Sequence, residues 1–311
     1  MGGWLSPPPH IEGVHPRPPM RSTRTCPATS YFAKSISKRV LTRSGFQRKF
    51  CQAEGETLLG QESRAEAVHQ SLTGGVARVR GPSSLDYASP ATSSSTFVVS
   101  GKAYEFHANH INYGREVASF YGIPLQDFFR FQSGQLAIGS LDTPVEADAG
   151  QVTFRVQQVI GIWEGRRFSV HVHLYDRTLA DVIALFDSFS ITETPYGIRM
   201  QGRSRDVIPG DQEPLILKEM SPLGLLQIRP LTRRRSRALP PWRGSDVAGG
   251  ELYCAEPSEA GGTYFVLAGI TAEVLVIPDP NVEFGQEVPS IAETLLLDAL
   301  AKLEVEWDSS I

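Results

Sequence analysis

The chain has 311 residues, 41% of them hydrophobic and 21% charged, with a formal net charge of −4. That balance suits one or two folded domains and excludes a fibrous chain or one too polar to bury a core. No run of about eighteen apolar residues occurs, which excludes a membrane-crossing helix.

The charge is unevenly placed. Of 30 basic and 34 acidic residues, nine basic and one acidic (Glu12) precede residue 54, so 54–311 keeps 21 and 33. An acidic body disfavours sequence-independent nucleic-acid binding over its whole surface. Cys26, Cys51 and Cys254 form no CxxC pair. Neither a disulfide framework nor a structural zinc is therefore expected, and a reducing, intracellular compartment fits.

In chain order, residues 1–19 are proline-rich. Beyond Met20, the apolar Tyr31, Phe32, Ile36, Val40 and Leu41 recur at near-helical spacing among Arg, Lys and Ser. This composition belongs to a mitochondrial or plastid transit peptide, and equally to a basic tail without an address or to a stretch upstream of a start at Met20. Residues 83–95 are Ser-rich and read as a linker. The segment 1–95 is thus expected to be a disordered leader, with order beginning near Thr96.

From Thr96, two short strands turn about Ser100-Gly101. A short helix follows, with Val117, Phe120 and Tyr121 on one face, and then an apolar cluster of Leu125, Phe128, Phe129 and Phe131. Strand alternation resumes after Gln151, turns at Glu164-Gly165, and returns through Phe168, Val170, Val172 and Leu174 on one face. Thr178 and Asp181 have capping-box spacing ahead of a helix with Leu179, Val182, Ile183, Phe186 and Phe189 on its buried side. A strand and a turn at Pro195-Tyr196-Gly197 come next. About 110 residues later a similar order recurs. Strands span 250–257, 263–269 and 271–278, and Ser290 with Glu293 caps a helix whose stripe is Ile291, Leu295, Ala299 and Leu303, with Leu296 and Leu300 beside it. A last strand surrounds Trp307.

These elements predict an α+β fold of two similar strand–strand–helix–strand halves, with mixed or antiparallel sheets and helices packed on one face. The halves are placed at 96–228 and 247–311. An Arg-rich connecting loop, 229–246, lies between them.

Two local patterns resemble known families. Gly165, His171 and His173 match the opening of the cupin family's first motif, Gly-x5-His-x-His. The resemblance implies two imidazoles presented to a metal from one strand face. The family's Glu is absent, since Asp176, Arg177 and Thr178 stand there, and no His follows His173. The plain reading places the pair on the solvent side, opposite Val170 and Val172. His107 and His110 supply two further imidazoles. The segment 114–136 resembles the helix-turn-helix of excisionase and MerR-like DNA-binding domains. Ala118, Gly122, Ile123, Phe128 and Phe131 take the packing positions, and 133–136 the entry to the wing. The resemblance implies a DNA-binding regulator, although its second helix would expose Asp127 and Phe129 beside a single Arg130.

The third pattern is the loop itself. Arg229, Arg233, Arg234, Arg235, Arg237 and Arg243 stand together, with no acid between Glu219 and Asp246. Grouped guanidinium groups suit phosphates or an acidic protein surface. Trp242 adds a ring that can anchor a partner. No nucleophile elbow, Walker loop or dinucleotide fingerprint occurs, so no catalytic residue and no cofactor is expected. The leading expectation is a non-enzymatic interaction or accessory protein. Its partner, a protein or another anionic surface, would bind through the sheet or through Arg233, Arg234, Arg235, Arg237 and Trp242. DNA binding through 114–136 and metal-dependent catalysis at His171 and His173 are the alternatives.

Overall fold

The computed structural model describes residues 63–146, 153–255, 263–282, 284, 286 and 289–309. All of these belong to the unit Val40–Ile311. The basic stretch read as a targeting segment lies outside them.

The described chain opens with a hairpin of β1 (Arg64–Gln70) and β2 (Val76–Pro82). β3 (Ala91–Val99) and β4 (Lys102–His110) form the next, turning through Ser100 and Gly101 at φ 50° and 76°. Two left-handed residues in a two-residue turn match the twist of the flanking strands. Helix α1 (Tyr113–Phe120) follows, and then β5 (Leu125–Phe131), β6 (Gly134–Glu146), β7 (Thr153–Glu164) and β8 (Phe168–Tyr175). Helix α2 (Leu179–Asp187) leads into the hairpin β9 (Phe189–Thr194) and β10 (Gly197–Gly202). Short β11 (Val207–Pro209) precedes β12 (Leu215–Met220) and β13 (Gly224–Pro230). A single helical turn, α3 (Arg233–Ser236), precedes β14 (Ser245–Val247), β15 (Gly250–Ala255), β16 (Tyr264–Ala268) and β17 (Ala272–Ile277). Helix α4 (Ile291–Lys302) and β18 (Glu304–Asp308) complete it.

One 13-stranded antiparallel sheet holds most of these strands, in the order β14-β15-β16-β17-β13-β12-β3-β4-β8-β7-β6-β5, with β11 also on β3. Outward from the β3–β12 pair the connections follow the same order on both sides. A small sheet, β1-β2-β18, and the pair β9-β10 pack with α2 and α4 on one face. There, Ile216, Leu226, Ile228, Val274 and Val276 meet Leu296 and Leu300 of α4. Phe106, Val170, Val172 and Trp163 meet Val182 and Phe186 of α2. On the opposite face, α1 covers a smaller core of Ala137, Ile160 and Ile162 through Ala118.

The expected α+β class is therefore corrected. Eighteen strands stand against four short helices among the described residues, and the supposed halves share one sheet because Leu225–Ile228 of β13 pair with Val274–Ile277 of β17. Helices lie on both faces, not one. The alternation did mark strands, but partner choice depends on residues far apart in the chain, which local periodicity does not report.

The leader boundary is corrected as well. β1, β2 and half of β3 occupy 64–95. Of the serines that suggested a linker, Ser93, Ser94 and Ser95 are buried strand residues: Ser93 Oγ accepts from the Leu72 amide at 3.0 Å, and Ser94 Oγ donates to Glu105 at 3.0 Å. Hydroxyls can line a central strand at little cost when they find partners, as those of Ser93 and Ser94 do.

Two helix expectations shift in detail. Thr178 and Asp181 make the full capping box, but Leu179 is exposed and Leu185 joins Val182 and Phe186 on the buried side of α2. The buried side of α4 is Glu293, Leu296, Ala299 and Leu300, whereas Ile291 and Leu295 are exposed.

Candidate functional site

Pairing register builds a row of side chains across the helix-α1 side of the sheet. Directly opposed residues of antiparallel neighbours share a face. His171 faces His107, His107 faces Ser94, and Ser94 faces Leu215. The register continues to Arg229 and from there to Glu273. One end of this row lies under α1, and α3 sits at the other.

Thr232 caps the α3 turn, its hydroxyl accepting from the Arg235 amide at 3.3 Å. The same hydroxyl donates to Glu213 at 2.5 Å. Arg235 is the anchor. Its Nε donates to Glu213, and Nη1 donates to Glu273 at 2.7 Å. Arg229 lies half-buried beside this pair of carboxylates, and burial, then the neighbouring Arg235, lowers its proton affinity. Burial alone would raise the Glu213 carboxyl, but the Thr232 hydroxyl and Arg235 hold it below the usual range. Two carboxylates thus neutralise two guanidinium groups at the base of the turn.

Arg233, Arg234 and Arg237 are exposed at the top, among the described residues without an ion pair. Arg243 instead pairs with Asp246 at 2.6 Å. Trp242 is half-buried. The loop arginines therefore divide into an anchored pair and an outward set. The anchoring residues Glu213 and Glu273 were not legible as part of the site. They lie 22 and 38 residues from Arg235, and the one local signal was a Thr three residues ahead of it.

The histidines also gather, beneath α1. The His107 and His171 rings stack with centroids 5.3 Å apart and 27° between planes. Tyr113 packs 5.6 Å from His171 and 5.9 Å from His110, and Tyr121 packs 4.8 Å from His173. His171 is 4% exposed, and its Nδ1 is buried with no hydrogen-bond partner among the described residues. His173 Nε2 meets Gln158 Oε1 at 3.1 Å. Burial, then His107 and His173, holds His171 well below the usual imidazole range. The pair does project opposite Val170 and Val172, but α1 covers His171, so that face is not left to solvent. Small residues make the cover possible: a Cβ on Gly114 would stand 2.5 Å from Ile162 Cγ2. Among the described residues, no group of three or more His, Cys, Asp or Glu side chains is placed to hold a metal ion.

The helix-turn-helix segment is not one. Its first helix is α1, but its second is the edge strand β5, paired with β6 from Leu125 to Phe131. Phe129 and Phe131 pack on the large core, while Phe128 turns to the other side under the Arg115 guanidinium at 5.7 Å. Period-two burial of aromatic residues belongs to a strand, and it leaves no recognition helix.

No helix of the described residues is long and apolar enough to cross a membrane. No family model, curated protein or solved structure matches the chain.

Proposed function

We propose that this protein is a non-enzymatic interaction or accessory protein that docks an acidic protein surface on the α3 turn. The observation that carries the reading is the double ion pair of Arg235 with Glu213 and Glu273. It fixes the turn to the sheet and leaves Arg233, Arg234 and Arg237 pointing outward. A preorganised cluster loses less side-chain and loop freedom on binding than a mobile one. Guanidinium groups spaced over one turn recognise carboxylates in a fixed geometry. The acidic remainder of the chain favours a compact anionic patch on the partner over a long polyanion, which would meet repulsion beyond the turn.

The test uses a fluorescent octaglutamate peptide and the full chain, read by anisotropy. Binding is expected to weaken as salt rises, and the Arg233→Ala/Arg234→Ala/Arg237→Ala variant to lose about tenfold in affinity. Equal binding by the variant and the unsubstituted chain would remove the turn from the reading.

A further inference from the structure

A cavity of about 220 Å³ lies where the two large cores meet, on the sheet face opposite α3. Ile216 of one core and Ala108 and Ile198 of the other face it. Its sheet-side lining includes Ala91 and Ser93, too small to fill the gap. Tyr196, 49% exposed, stands at its edge.

Three observations bear on what it would hold. First, none of the lining residues is Asp, Glu, Lys or Arg, so an entering anion meets no carboxylate. Second, His69 forms part of the wall, and its Nε2 is buried with no hydrogen-bond partner among the described residues. An unmade hydrogen bond at a buried nitrogen is a cost that a ligand acceptor would remove. Third, the wall segment from Tyr87 to Ser89 is backed by Lys218, whose side chain is fully buried. Its Nζ donates to Tyr87 O at 3.2 Å, Ser89 O at 2.6 Å and Ser89 Oγ at 3.0 Å, all neutral acceptors. Asp86, the acid that acts on it, is exposed and accepts from the Ala88 and Ser89 amides. A buried ammonium bonded only to neutral oxygens leaves a positive field around it. That field reaches His69, since burial and then Lys218 hold its imidazole down to about 4.

We propose that this cavity binds a small monocarboxylate with an apolar tail, its carboxylate at His69 Nε2 and its tail against Phe168 and Ile198. The carboxylate would offset the Lys218 field and give His69 a reason to take up a proton. Binding is then coupled to protonation. The titratable groups that share the cavity lining with His69 are Tyr87 from the wall segment, His110 from β4 and Tyr196 from the β9–β10 turn, and Lys218 of β12 acts on it from behind the wall.

The experiment titrates the full chain calorimetrically with sodium benzoate, and with benzamide as its uncharged counterpart, at pH 7.5, 6.5 and 5.5. Benzoate is expected to bind about tenfold tighter for each unit of pH lowered, the limit for uptake of one proton, and benzamide to show no such slope. His69→Gln should bind benzoate with a flat profile, and His110→Gln should keep the slope. Lys218→Met should weaken benzoate and leave benzamide unchanged. If that variant fails to fold, His69→Gln carries the decision. Benzoate binding no tighter than benzamide, no heat from either, or a slope that survives in His69→Gln would overturn the proposal. None of these outcomes touches the α3 turn.

Discussion

At the residue scale, the unusual groups are imidazoles that folding keeps neutral. Burial lowers the proton affinity of His107, His171 and His173, and adds to the effect of Lys218 on His69. An unfolded histidine titrates near pH 6.5. Below that, the unfolded chain binds protons that the folded chain refuses, so the slope of stability with pH is positive. Stability is therefore whole above about pH 6.5 and is lost as pH falls towards each depressed value. For His69 alone, the interval from 6.5 down to about 4 corresponds to about 3 kcal/mol. Urea midpoints at pH 7 and pH 5 check this. His171→Phe, which keeps a ring beside His107 and cannot titrate, should narrow the difference between the two midpoints. An unchanged difference would mean that His171 is protonated without penalty. His171 and His173 were visible in the chain as a strand pair on one face. The burial of His171 was not, because the cover comes from α1, more than 50 residues earlier.

At the element scale, α1 and α3 are held by different means. α1 lies close because Gly114 and Ala118 are small and buried. Its Arg115 also donates to Glu164, with Nε at 2.7 Å from Oε1. Gly114→Ala should force α1 away from Ile162 and cost about 1–3 kcal/mol in chemical denaturation, with the near-ultraviolet signal of the tyrosines changed. α3 has no buried residue and relies on its Thr232 cap and Arg235. Arg235→Met strands two carboxylates and should cost about 1–2 kcal/mol, discounted for its partial exposure. Arg233→Ala should stay within about 0.5 kcal/mol, as surface substitutions do. A similar loss for both would mean that the turn is not anchored as described. The same scale shows where local reading went astray. The Phe-rich stretch of β5 fits helical and strand periods about equally over seven residues. Only its pairing with β6 separates them.

At the scale of the whole molecule, the sheet is continuous because β3 carries β12 on one side and β4 on the other. β1 and β2 complete the layer that packs with α4, since β2 is also the partner of β18. A chain beginning at residue 96 would lose both, together with the β3 residues that join β12. It is expected to lack cooperative unfolding followed by circular dichroism, and a sharp transition from it would show that the small sheet is dispensable. Much was readable in the sequence alone. The Ser100-Gly101, Glu164-Gly165 and Tyr196-Gly197 turns, the alternation of β8, the Thr178 cap and the arginine cluster are all short-range signals, set by residues a few positions apart. The class of fold, the burial of Ser93 to Ser95, the roof over His171 and the division of the arginines into anchor and outward set came only with the folded chain. Each depends on which distant segments meet, as Arg235 meets Glu213 and Glu273, and a pattern of period two says that a strand has a buried face without saying what will cover it.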